Sequence, residues 1–142
     1  MAAGTSSIST STRGSLWRAG GIALVLSVLI NELLRLGAVA VLGIDPGFLP
    51  LTAIGTVIMF TAIGVIGATL AYWLLTRFSK NPDRLFITIA VVLLVLSFIP
   101  NILTGMSPQS APFPGVTWPA IGTLMLMHLP PALLSIYFLT RR

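Results

Sequence analysis

Cysteine is absent from the 142-residue chain. That excludes disulfides, thiolate metal sites, thiol redox chemistry, palmitoylation and a thioether-linked haem. Charge is scarce as well: Asp, Glu, Lys and Arg make up 8% of the residues, against about 25% in soluble domains. A water-soluble fold needs a polar surface that such a chain cannot supply. Three acids and one histidine cannot build a two-metal site. There is no His-Glu-x-x-His, no P-loop, no Gly-x-Ser-x-Gly and no dinucleotide fingerprint. A lipid-processing enzyme would need a nucleophile and a base within hydrogen-bond reach near an interface, and no such pair stands out. The chain is therefore expected to be non-enzymatic and to carry no cofactor and no metal. Its basic residues never run to more than two in a row, so the net charge of +5 does not describe a nucleic-acid-binding face.

What the chain has is apolar length. It is 56% hydrophobic, with a mean hydropathy of +1.01. A membrane-crossing helix needs about 20 mostly apolar residues. Four segments qualify: about 16–41, 50–76, 82–99 and 119–140. The fold class is an all-α, integral membrane four-helix bundle over residues 16–142. Residues 1–15, "MAAGTSSISTSTRGS", are small and polar and are expected to form a disordered tail.

Local signals mark the ends. "GIDPGF" places Pro46 and Gly47 at the centre of an expected type II turn. Pro50 and Pro119 suit the first turn of a helix, where a missing N–H costs nothing. In "SKNPD", Asn81 is a candidate cap, Pro82 the first helical residue and Asp83 a complement to the helix dipole. Residues 101–118, "NILTGMSPQSAPFPGVTW", are too polar and too Pro-rich for a span and read as a long, stiff loop. The first span carries Arg13, Arg18 and an "AVA" at 38–40, as a signal peptide could. Asn31, Glu32 and Arg35 follow its apolar core, however, and cleavage at residue 40 would be late, so it reads as an uncleaved span.

Topology follows from the basic residues. Arg13 and Arg18 lie at the start of the first span, Arg77, Lys80 and Arg84 at the junction of the second and third, and Arg141 and Arg142 at the end of the chain. Four spans put all of these on one side, which predicts cytoplasmic N and C termini and a cell (inner or plasma) membrane location. Trp17, Tyr72, Trp73, Trp118 and Tyr137 fall near segment ends, as an aromatic belt requires.

The polar residues inside the spans are the candidate site. Ala19, Ala23, Ser27, Asn31 and Arg35, four apart, form one helical stripe that is expected to face the bundle. Counted along each helix, Glu32 and Thr61 lie about 22 Å, and Ser97 and His128 about 20 Å, above the cytoplasmic edge. Every span thus offers a polar group at one level. Pro130 and Pro131 would leave the carbonyls of Leu126 and Met127 without N–H partners, so the last span is expected to kink or break at "MHLPPA". Two readings stand. In one, Glu32 pairs with Arg35, and His128 with a freed carbonyl or Asn31, as internal packing devices. In the other, Glu32 and His128 line a cavity and serve a small transporter or proton-linked carrier. On the second span, Gly64 with Ala68 and Gly67 with Ala71 form small-xxx-small pairs. These are read as helix packing within the chain, or as a contact in a homo-oligomer or a larger membrane complex.

The motifs "LINELL", "LLTRFSKNPDRLF", "LSFIPN" and "LMHLPPALLSIYFLTRR" together resemble those of a family of small bacterial four-helix membrane proteins, known only as a domain of unknown function. The resemblance covers the chain from about residue 16 onward. It implies four spans with both ends inside and no assigned activity. Asn31 and His128 are the polar residues it carries over.

Overall fold

The computed structural model describes residues 8–141, with only the backbone described for residues 8–13. Six α-helices build four membrane-length elements: α1 Ile8–Leu42, α2 Leu49–Thr52 with α3 Ile54–Phe78, α4 Pro82–Met106, and α5 Trp118–Leu126 with α6 Leu129–Thr140. No strand occurs among the described residues. Within the four elements, Gly14–Leu42, Ile54–Phe78, Pro82–Met106 and Trp118–Thr140 are each long and apolar enough to cross a membrane, at mean hydropathies of 2.0, 2.1, 2.6 and 1.5.

The first span packs through the four-residue stripe that its sequence displays. Ala19, Ala23, Ser27, Asn31 and Arg35 are all buried. The facing stripe on α3 is Val57, Thr61, Val65, Thr69 and Tyr72. The two helices approach closely at Gly20, where a Cβ would lie 2.7 Å from both Thr69 Cγ2 and Thr69 Oγ1. The Thr69 hydroxyl donates to the Val65 carbonyl at 2.8 Å, so its polarity is absorbed within its own helix.

Apolar clusters close the two ends of the bundle. At the end that holds the termini, Leu16 and Ala19 of α1 meet Tyr72 of α3, Phe86 of α4 and Leu139 of α6. The Tyr72 hydroxyl donates to Asp83 Oδ1 and so ties α3 to the start of α4. Tyr72 is consequently buried and takes no part in the expected aromatic belt, whereas Trp17, Trp118 and Tyr137 are about half exposed. Arg77 and Arg141 lie over the rings of Trp73 and Tyr137, 4.2 and 4.9 Å from their centroids. At the loop end, Ile44, Phe48 and Leu51 pack on Val57, Ala120, Ile121 and Met127. Phe113, from the Pro-rich loop, meets Phe48 edge to face at 5.2 Å.

Several boundaries depart from the sequence reading. The helix of the first span begins at Ile8, inside the segment expected to be a tail; residues 1–7 of that segment lie outside the described residues. A helix already nucleated by a long span gains one hydrogen bond for each residue added, which outweighs weak local propensity. The second span is interrupted at Ala53, whose backbone is extended. Just before it, the Thr52 hydroxyl donates to the carbonyls of Pro46 and Phe48 and fastens the short α2 to the preceding turn.

The third span runs through Pro100 to Met106, so residues 101–106 are helix and not loop. Pro100 withholds an N–H from the preceding turn. That N–H would have served the Leu96 carbonyl; one residue on, the Asn101 side-chain amide donates to the Ser97 carbonyl at 2.9 Å, and the helix continues to Met106.

The 45–48 turn closes with a Phe48 N–H to Asp45 carbonyl bond of 2.9 Å. Asp45 Oδ1 also accepts from the Gly47 N–H at 2.7 Å. Gly47 does not have positive φ, so the turn is not type II. What Gly47 supplies is room: a Cβ there would lie 2.8 Å from Pro114 Cγ. Asn81 does occupy the position before α4, but its side chain caps nothing.

Candidate functional site

The candidate residues converge at one level. By residue count, Asn31, Thr61, Ser97 and His128 lie roughly 10 to 17 Å from the loop end of their spans. Asn31 is the centre of this layer. It is 2% exposed, and its amide nitrogen donates to Thr61 Oγ1 at 2.9 Å and to the Met127 carbonyl at 3.0 Å. One side chain thereby joins α1, α3 and the joint between α5 and α6.

The joint exists because the last span breaks, as its prolines require. Pro130 and Pro131 sit in the first turn of α6, and their missing N–H groups leave the Leu126 and Met127 carbonyls without their helical donors. Pro131 cannot serve the Met127 carbonyl, and the Asn31 amide takes that place. Across the break, the His128 N–H bonds to the Met125 carbonyl at 3.2 Å, one residue short of the α-helical partner. This frees the Leu124 carbonyl. His128 Nδ1 lies 2.6 Å from it, and because a carbonyl only accepts, the proton resides on Nδ1. The imidazole thus replaces the hydrogen bond that its own backbone gave up. The ring also meets Phe98 edge to face at 6.3 Å.

Glu32 and Arg35 pair with each other. Arg35 Nε donates to Glu32 Oε2 at 2.7 Å, with both side chains largely buried. Glu32 Oε1 has no partner. Neither residue borders the space described next, so Glu32 and His128 do not share a cavity. The one-residue offset between Asn31 and Glu32 turns them about 100° apart on the helix, which is enough to separate their surroundings.

That space is a cleft of about 750 Å³ between α3, α4 and α6. Asn31, Thr61, Ser97 and His128 border it, together with Gly64, Gly67, Ala68 and Ala71. Gly64 and Gly67 therefore do not close a helix–helix contact within the chain, whereas Ala68 also packs on the cluster of Leu16, Ala19 and Phe86. A Cβ at Gly64 or Gly67 would meet nothing within 4 Å. The physical reason is the path of α4. Phe86 is its one fully buried residue, and the span is held chiefly at its ends. At one end stands the Tyr72–Asp83 bond. At the other, Trp118 crowds Gly105, where a Cβ would lie 2.9 Å from the indole Cζ3.

Among the bordering residues that escaped the sequence reading are Asn101 and Ser135. Asn101 falls in a segment taken for loop. Ser135 is 2% exposed, and its hydroxyl has no partner. Ser135 lies two turns after His128, seven residues on, and that register was the one signal that could have placed it on the same face.

Residues 11–142 match a family described as of unknown function (DUF6069). No curated protein and no solved structure matches the chain.

Proposed function

The chain belongs to a family of unknown function, and from that premise we propose that it is a non-enzymatic accessory or structural protein of the plasma membrane. Its termini face the cytoplasm, and it works by packing against a second copy or a larger membrane complex. The observation that carries this reading is the Asn31 tie to Thr61 and to the Met127 carbonyl. This buried polar side chain, 2% exposed, holds three elements in one arrangement. Glu32 with Arg35, and His128 with Leu124, likewise serve partners inside the chain. Intramembrane polar groups that are matched in this way act as architecture, giving a rigid unit for a partner to recognise.

The carrier reading needs Glu32 and His128 to face one another, and they border different surroundings. No observation favours it.

Extraction in a mild detergent, followed by measurement of the intact mass of the particle, tests the proposal. A stoichiometric partner or a defined homo-oligomer is the expected result. A lone monomer at every protein concentration tried would overturn it. The orientation is checked separately, by labelling single cysteines placed in the 107–117 loop and at the C-terminus, with the loop expected to react from outside.

A further inference from the structure

The cleft has the form of a binding site, and its chemistry selects an occupant. It borders α4 from Phe86 to Asn101, a length of about 22 Å. A slender hydrocarbon chain fits a cleft of about 750 Å³ and this length.

Hydrogen-bonding capacity gathers toward one end. Ser97 commits its hydroxyl hydrogen to the Leu94 carbonyl at 2.6 Å. His128 commits its Nδ1 proton to the Leu124 carbonyl. Asn31 commits its amide to Thr61 and Met127. These three side chains are left with acceptors: Ser97 Oγ, His128 Nε2 and Asn31 Oδ1. The last is buried and has no partner. Farther along the cleft, the Ser135 hydroxyl is also buried and unpartnered. Both buried atoms are sealed from the cleft's open space, so the acceptors within an occupant's reach are those of Ser97 and His128, which border the cleft.

No Lys, Arg, Asp or Glu borders the cleft among the described residues. An anionic head would find no counter-charge there, nor would a cationic one, and burying an unpaired charge is strongly unfavourable.

We propose that this cleft is an intramembrane binding site for a neutral lipid that combines one slender hydrocarbon chain with a hydroxyl head. The hydroxyl donates to the acceptors around His128 and Ser97, and the chain lies along Gly64, Gly67 and Ala68. This inference rests on the membrane placement and not on the accessory role, so either can fail without the other.

The test uses the full-length protein in phosphatidylcholine nanodiscs and a photoreactive analogue of hexadecanol, whose extended length is close to that of the cleft. Labelling is expected on the α3 and α4 peptides that border the cleft, with competition by hexadecanol. Hexadecyl methyl ether keeps the chain and loses the donor, and it should compete about tenfold more weakly. Hexadecyl phosphate should compete no better than the ether. Gly64→Leu puts a side chain into open space and should abolish labelling, while an unchanged melting temperature shows that the fold persists. Equal competition by alcohol and ether would overturn the hydroxyl assignment. Tighter binding of the phosphate would overturn the neutral class. Undiminished labelling of folded Gly64→Leu would overturn the cleft as the place.

Discussion

Replacing Asn31 by Leu removes both hydrogen bonds of the polar tie at near-constant volume. Hydrogen bonds between membrane helices are worth about 0.6 kcal/mol on average and about 1.7 at most. The two bonds together therefore contribute roughly 1–3 kcal/mol. The loss is weighted toward the upper part of that range, because the Met127 carbonyl is left without its donor. Pro131 offers it none, and an orphaned buried acceptor costs about 1–3 kcal/mol by itself. The expected destabilisation of Asn31→Leu is about 2–3 kcal/mol. The same reasoning fixes a second number. Pro131→Ala restores an N–H that can reach the Met127 carbonyl from within the last span. In that background Asn31→Leu should cost about 1 kcal/mol less. Positions 31 and 131 would thus be coupled through a third residue that neither variant alters. The assay is reversible unfolding in mixed micelles by SDS titration, read by circular dichroism, over the four members of the cycle. A cost for Asn31→Leu within 0.5 kcal/mol of zero, or an equal cost in both backgrounds, would refute the argument.

Other outcomes follow from close approaches and from open space. Gly20→Ala drives a methyl into Thr69 and should destabilise by about 1–3 kcal/mol in the same titration, by overpacking. Gly67→Ala meets nothing and should be neutral, or stabilising by up to about 1 kcal/mol through helix propensity. Gly115 has φ +77, and a Cβ there would lie 2.5 Å from Asp45 Cβ; Gly115→Ala should lift the Pro-rich loop off the 43–48 turn and speed its cleavage by added protease severalfold. Arg35→Leu leaves the Glu32 carboxylate largely buried and alone, and should cost more than Glu32→Gln, which keeps an oxygen for the Arg35 N–H. Thermal aggregation midpoints of the two variants check the order.

The four spans were legible because length and apolarity alone decide what crosses a bilayer. The α1 stripe was legible too, since a period of four residues puts small and polar groups on one face, and that face is buried. So was the break before Pro130, because a pair of prolines leaves the backbone few alternatives. The features that stayed hidden depend on what a side chain does for a distant backbone. Pro100 looked like a terminus, yet the helix runs through it to Met106. Tyr72 looked like an interfacial aromatic, and Asp83 draws its hydroxyl into a buried tie. The glycines of α3 signalled close packing, yet the third span keeps its distance and the same glycines border a cleft. Composition marks a surface as smooth without saying what lies against it.

The Asn31 tie also sets an order of events during synthesis. Its two acceptors lie 30 and 96 residues farther along the chain. At about 5–20 residues per second, Thr61 is made roughly 1.5–6 s after Asn31, and Met127 roughly 5–20 s after it. The first span thus waits in the bilayer with an amide that only Thr61 can occupy until the last span is made. The hydroxyl of Thr61 serves as a holding partner for the nascent chain. The final bond to Met127 registers that the fourth span has arrived.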